Sequence, residues 1–325
     1  MKTLVCNAYG PPETLTLQDR AIPEPDSGQI RVRITAAGVN FVDALFIAGT
    51  YQVKIPPPFV PGNELAGTVD ALGEGVTQFA LGERVMAQAG TGAFAEYACI
   101  PTAALRRMPT RFSFAEAAAF QLTYATALYA LRERGQLRMG ETLLVLGAAG
   151  GVGTAAIDIG KAIGARVIAA AGSDEKLERC RALGADAVIN YDREDLKTRA
   201  KALTDGRGAD VIYDPVGGRY SEPALRAIAW EGRFLVIGFA AGEIAKIPLN
   251  LALLKGCQIV GVDWGQLART RHEETVPVWS TLTAMAEAGD LHPMIHAHYA
   301  LADSPRALRD VLDRRVVGKA VIDCA

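Results

Sequence analysis

The 325-residue sequence has few cysteines and no close pair of them: Cys6, Cys99, Cys180, Cys257 and Cys324 are scattered, odd in number and nowhere spaced C-x-x-C. That spacing argues against a disulfide framework, and a reducing cytoplasm is the expected setting. Long apolar runs are missing too. A membrane-spanning helix needs about 18 or more uncharged apolar residues. The longest apolar stretch, Leu143 to Gly172, is broken by Asp158, Lys161 and Arg166, so no membrane span is expected. The opening MKTLVCNAYGPPETL carries too brief an apolar run for a signal peptide. Neither sign of charge dominates, since 34 Lys and Arg face 36 Asp and Glu for a net charge of −2. A dedicated nucleic-acid binder carries a broad basic footprint, so no nucleic-acid partner is expected. The chain also lacks a G-x-S-x-G elbow and a Walker lysine.

What is present is a globular balance, 50% hydrophobic and 22% charged, in a length that fits about two domains. The first third reads as β. Gln29 to Ile34 alternates polar and apolar, and Gly and Pro then punctuate the chain at Pro56–Pro58, Pro61-Gly62, Gly73–Gly75 and Gly90–Gly92. Short strands with frequent turns predict a small barrel or sandwich. From Phe114 to Glu133 the run becomes alanine-rich and predicts helix. A regular alternation then begins. Thr142–Leu146, Arg166–Ala171, Ala187–Asn190, Asp210–Tyr213, Arg233–Ile237 and Gln258–Val262 read as strands, separated mostly by helical patterns such as Val152, Ala155, Ala156, Ile159, Ile163. Strand–helix alternation predicts a doubly wound parallel sheet. The expected fold is α/β, with a Rossmann domain at 120–262 inserted in a β-rich domain of 1–119 and 263–325. Lys319–Asp323 is the closing strand.

The strongest motif is Leu146-Gly147-Ala148-Ala149-Gly150-Gly151-Val152-Gly153, after a predicted strand and at the start of a predicted helix. Its register, Ala148-x-Gly150-x-x-Gly153, is a variant of the dinucleotide fingerprint. Gly150 allows backbone approach to a pyrophosphate, Gly153 allows close helix–strand packing, and the helix N-terminus faces the phosphates. An NAD enzyme places Asp or Glu at the tip of the second strand to accept from the ribose 2′-hydroxyl. Here the tip is Ala171-Gly172, without a carboxylate. Ser173, Lys176 and Tyr191 are candidates to hold a 2′-phosphate instead, with Asp174 and Glu175 expected to point away along the helix. The cofactor predicted is therefore NADPH. His296 and His298 would share a strand face, but a solvated face is the better reading than a metal pair.

These residues, with Ala37–Asp43, Pro61–Gly67, Ala171–Lys176, Leu183–Asp186 and Tyr213–Gly218, resemble the zinc-free NADPH:quinone oxidoreductase (zeta-crystallin-like) branch of the medium-chain dehydrogenase/reductase superfamily, over essentially the whole chain. The resemblance implies a GroES-like catalytic domain built from both chain ends around a Rossmann domain, and a homodimer joined near Gln258–Val262. Zinc-dependent relatives carry cysteine at the position of Asn40 and histidine at that of Asn63, and a cysteine cluster where only Cys99 stands here. The expectation is no zinc, since amides are poor Zn²⁺ ligands. Without a Lewis acid the acceptor must already be electrophilic, which suits a quinone. The resemblance puts Asn40 and Thr126 beside the nicotinamide and Tyr51 in the loop over the acceptor. It lines the nicotinamide half of an interdomain cleft with Val216, Gly238, Phe239, Val262 and Trp264, and brings Arg314 and Lys319 near the cofactor. Two alternatives are an NADPH-dependent reductase of α,β-unsaturated carbonyls and a non-catalytic NADPH-binding protein.

Overall fold

Alternating burial along residues 29–38 makes the first long strand, and its neighbours build on it. In chain order the strands are β1 (Lys2–Val5), β2 (Thr16–Asp19), β3 (Gln29–Gly38), β4 (Glu64–Leu72), β5 (Arg84–Gln88), β6 (Tyr97–Pro101), β7 (Leu105–Arg107), β8 (Thr142–Leu146), β9 (Arg166–Ala171), β10 (Ala187–Asn190), β11 (Ala209–Asp214), β12 (Ile228–Val236), β13 (Gln258–Gly261), β14 (Ile295–Ala300) and β15 (Lys319–Asp323). The helices that matter for the site are α1 (Phe41–Ile47), α2 (Phe114–Leu128), α3 (Gly151–Ile163) and α4 (Asp174–Ala182). The computed structural model describes residues 1–324. The chain divides into two units, Met1–Leu122 with Pro293–Ala325, and Thr123–His292.

The first unit is β-rich. A seven-stranded sheet runs β14-β15-β3-β4-β5-β7, with β6 also on β3, and β1 pairs with β2. β15 pairs antiparallel with β3, Val321 opposite Gly38, so the last strand completes the sheet begun near the N-terminus. Ile30, Val32, Ile34, Leu65, Phe94 and Ile322 are buried in its core.

The second unit holds a parallel sheet in the order β10-β9-β8-β11-β12-β13. All five residues of β8 are buried, as a parallel strand covered on both faces requires. Strand order reverses at β8 and β11, which makes a crevice at their carboxyl ends where ligands bind in such sheets. The core contains Leu144, Leu146, Ile168, Ile189, Ile212 and Phe234.

The first crossing falls at 122/123 where the sequence pattern puts it at 119/120, and the second lies further off, at 292/293 against 262/263. Trp264 explains the shift, being buried among Tyr129 and Trp279 at centroid distances of 5.9 and 5.8 Å. Arg132 also donates to the Thr281 hydroxyl at 2.6 Å, and the His292 N–H donates to Asp158 at 2.6 Å. The expected helix to Glu133 ends instead in a π-helical turn, Tyr129–Arg134.

Candidate active site

The glycine loop lies at the carboxyl end of β8. Gly147 has φ +55°, and a Cβ there would meet Val216 Cγ2 at 2.7 Å. A Cβ on Gly153 would stand 2.4 Å from the Gly147 carbonyl oxygen and 2.7 Å from Ala148 Cα. Only glycine lets α3 pack this close. On Gly150 a Cβ would meet nothing nearer than the Gly147 oxygen at 3.4 Å, so the space over Gly150 is open. Gly150 is also the N-cap of α3, and no side chain caps the helix. The first-turn N–H groups of Gly151, Val152 and Gly153 are left for an anion, and the residues fit a dinucleotide diphosphate.

At the tip of β9, Ser173 caps α4 by accepting the Lys176 N–H at 3.4 Å. Asp174 accepts from Asn190 Nδ2 at 2.6 Å and pairs with Arg193. Tyr191 packs on Tyr220 with ring centroids 4.3 Å apart. The tip does not lack an acid, however. Asp192, two residues past β10, brings Oδ2 within 2.6 Å of where a Gly172 Cβ would be. A sequence search confined to the tip of β9 misses it.

Beyond β11, Asp214 shapes the next turn. Its Oδ1 accepts the N–H groups of Val216 and Gly217, each at 2.9 Å, and its Oδ2 accepts the Ser221 hydroxyl at 2.6 Å. Val216 is thereby held against Gly147, and Phe239 lies half-exposed beside Gly217. Gly238 donates weakly to the Asp214 carbonyl, and Val262 donates to Val236 at 3.0 Å. Thr126 is half-buried on α2. Trp264 is only 2% exposed, which leaves little ring surface to offer a ligand. His296 and His298 are exposed on β14, and His298 pairs with Asp323 at 2.9 Å.

In the first unit, four distant segments meet in a buried polar cluster. Asn40 is the N-cap of α1. Its Nδ2 donates to Glu64 Oε1 at 2.9 Å, and its Oδ1 accepts from Lys319. Lys319 also donates to Glu64 Oε1 at 2.6 Å, and Glu64 Oε2 accepts the Leu122 N–H at 2.9 Å. Glu64 is fully buried and Lys319 is 5% exposed. Gly38 makes room for the glutamate, since a Cβ there would stand 2.7 Å from Glu64 Oε1. The Asn40 amide is thus locked by two charged partners. Tyr51 lies beyond α1 with its ring edge-on to Phe46 at 4.9 Å. Arg314 is exposed. Glu64 and Asp43 join the cluster without a signal of their own in the sequence, where a buried acid is visible only through its motif, Pro61–Gly67 or Asn40–Asp43.

The donor set does not fit zinc. Asn40 and Asn63 offer amides rather than thiolate or imidazole, and the Lys319 ammonium already occupies Asn40 Oδ1, so a dication would face a buried cation. Among the described residues no three His, Cys, Asp or Glu side chains group as a metal site.

Asp43 lies under Asn40 and accepts its backbone N–H at 2.8 Å. Its Oδ1 is buried and has no hydrogen-bond partner among the described residues. Desolvation pushes the carboxyl up to about 7, against the pull of the Asn40 N–H and the Lys319 charge. A carboxyl raised in this way favours folding most when protonated. Its contribution is complete below the ordinary value of 3.8 and is lost as pH rises through about 7. At roughly 1.4 kcal/mol per unit, the loss amounts to about 4 kcal/mol at most. Denaturant unfolding should therefore show lower stability at pH 8 than at pH 5, and Asp43→Asn should flatten that difference. An unchanged slope would remove Asp43 as its source.

Comparison with known proteins adds the family. Residues 26–110 match the alcohol dehydrogenase GroES-like domain, and residues 151–283 match the zinc-binding dehydrogenase domain. The chain is 38% identical to a quinone oxidoreductase-like protein 2 homolog of Nematostella vectensis, over 99% of this chain and 88% of that protein. It is 36% identical to a quinone oxidoreductase of Pseudomonas aeruginosa, over 97% of each. The crystal structure of Escherichia coli quinone oxidoreductase complexed with NADPH superposes with a TM-score of 0.90 at 29% identity, covering 99% of this chain and 100% of that one.

Proposed function

The chain belongs to the medium-chain dehydrogenase/reductase superfamily, in its quinone oxidoreductase branch, and on that premise we propose that it is an NADPH-dependent oxidoreductase that reduces a quinone. The observation that carries this reading is the locked Asn40–Lys319–Glu64 cluster, in which a buried ammonium holds the amide of Asn40, the residue whose counterpart in zinc-dependent relatives is a cysteine. Such a site has no Lewis acid to polarise an alcohol oxygen, and it suits an acceptor that is already electrophilic.

NADPH, when bound, supplies a hydride. The chain's own residues do the rest. The uncapped first turn of α3 at Gly150–Gly153 binds the diphosphate, and Ser173, Lys176 and Tyr191 bind the 2′-phosphate. Gly172, Val216, Gly238, Phe239 and Val262 complete the nucleotide surface. Asn40, held rigid by Lys319 and Glu64, orients the reacting groups without rotamer loss, and Tyr51 and Thr126 position the acceptor. A quinone that accepts hydride becomes a hydroquinone monoanion, and water supplies its proton.

Steady-state oxidation of NADPH with simple quinones, run beside a panel of enones, tests the reading. Quinone turnover supports it. Turnover of enones alone moves the chain to α,β-unsaturated carbonyl reduction, and no turnover with tight NADPH binding leaves a binding protein. For Lys176→Ala, loss of one charge-assisted contact is expected to raise KM for NADPH about tenfold and KM for NADH less than twofold. Equal rises would remove Lys176 from the 2′-phosphate site.

The same reading includes a cytoplasmic homodimer. Five cysteines without a disulfide suit a reducing compartment, and among the described residues no helix is long and apolar enough to cross a membrane. β13 is an edge strand, and Trp230, Leu249, Leu253, Leu254 and Ile259 are exposed on this unit. Exposed apolar side chains beside an open edge favour strand pairing with a second copy. Sedimentation of wild type against Ile259→Lys separates dimer from monomer.

A further inference from the structure

The 2′-phosphate of the nucleotide would meet more than Ser173, Lys176 and Tyr191. In Rossmann sheets the ribose 2′ group lies at the carboxyl tip of the second strand, which here is Gly172. Asp192 Oδ2 borders that glycine, 2.6 Å from its Cβ position, and makes no hydrogen bond among the described residues. The other oxygen, Oδ1, accepts from the Tyr220 hydroxyl at 2.8 Å and from Arg219 Nη2 at 3.1 Å. Arg219 Nη2 also donates to the Tyr220 hydroxyl at 2.7 Å, and its guanidinium lies 4.8 Å over the Tyr220 ring. Gly217 and Gly218, at φ +71° and +57°, turn the chain so that Arg219 reaches across to the end of β10. Arg219 remains 74% exposed, so its outward N–H groups are accessible.

We propose that Asp192 and Arg219 together set which nicotinamide cofactor this chain prefers. The inference rests on the NADPH reading and extends it to residues outside the glycine loop and α4. A bare carboxylate at the tip accepts a ribose hydroxyl and repels a phosphate. Arg219 reverses that preference in two ways. It neutralises Asp192, and its planar guanidinium offers paired donors that match a phosphate. Arg219 thus answers the Asp192 carboxylate and, with the proposed contact from Lys176, admits the 2′-phosphate. Tyr220 positions the guanidinium and would not itself touch the ligand.

Isothermal titration of the full chain with 2′,5′-ADP and with 5′-AMP tests the pair without any turnover. Wild type is expected to prefer 2′,5′-ADP. Arg219→Ala exposes Asp192 and is expected to weaken 2′,5′-ADP about tenfold while 5′-AMP changes less than twofold. Asp192→Asn is expected to shift the ratio the other way, by about threefold or more. If both variants leave the ratio at the wild-type value while wild type still prefers 2′,5′-ADP, the proposal is wrong and the NADPH reading stands. If wild type does not prefer 2′,5′-ADP yet Arg219→Ala still lowers its relative affinity, the NADPH reading fails and the pair's role survives. Binding of neither compound overturns both. Unchanged far-ultraviolet circular dichroism of the variants shows that any change is local.

Discussion

Replacing Lys319 with methionine is expected to destabilise the chain by roughly 3–5 kcal/mol, the range for removing one partner of a buried ion pair. The reason lies in what remains. Glu64 is fully buried, and its Oε1 is shared between Lys319 and Asn40. Without the ammonium, Glu64 keeps an uncompensated charge in a dry site or must take up a proton, and Asn40 Oδ1 loses its donor. A fall in melting temperature of about 10 °C is expected for a unit of this size. Methionine keeps most of the side-chain volume, so the loss is electrostatic rather than a cavity. The double variant Lys319→Met with Glu64→Gln removes the orphaned charge and is expected to recover about half the loss. If the double variant is no more stable than Lys319→Met alone, unpaired charge is not the cause. Turnover with a quinone would drop as well, because Asn40 would no longer be clamped from both sides.

The second large effect concerns the glycine loop. Gly153→Val is expected to weaken nucleotide binding at least about a hundredfold and to lower stability, since loss of a well-oriented anion site costs several kcal/mol. A Cβ at this position meets the backbone itself, the Gly147 oxygen at 2.4 Å and Ala148 Cα and C at 2.7 and 2.8 Å. No side-chain rotation relieves such a contact, so α3 must withdraw from the loop and carry its N–H groups off the diphosphate. Gly150→Ala is the contrast. Its Cβ has a 3.4 Å neighbour only and costs the fold little, but it fills the open space in front of the helix N-terminus. Fluorescence titration with NADPH and thermal unfolding, taken together, should separate the two: both properties lost for Gly153→Val, affinity alone for Gly150→Ala. Wild-type affinity in Gly150→Ala would mean that the diphosphate does not lie there.

Much of the architecture was legible in the sequence because it depends on neighbours along the chain. β8 and β9 occupy Thr142–Leu146 and Arg166–Ala171 as their apolar runs predict, and α3 starts one residue before its predicted onset. The Ser173 cap and the Lys319–Asp323 strand agree equally well. These are short-range signals: a period of two or near four, a capping oxygen, a glycine where a turn demands one. The boundary at 292/293 was not legible, because the packing of Trp264 on Tyr129 and Trp279 joins residues far apart in the chain. The same holds for the tip of β9. A search along the second strand finds no acid, while Asp192 comes from just beyond the next strand and Arg219 from a turn 27 residues later.

By itself, then, the sequence determined the strand–helix alternation, the glycine cradle at Gly150–Gly153 and the amides at Asn40 and Asn63, since each depends on the identity and spacing of nearby residues. Only the tertiary structure decided that Lys319 reaches Glu64 across 255 positions and Asn40 across 279, and that an acid and an arginine share the β9 tip. The physical reason is that a buried charge is tolerable only beside its partner. Which residue becomes that partner is set by strand pairing, β15 on β3 and β3 on β4, and not by distance along the chain.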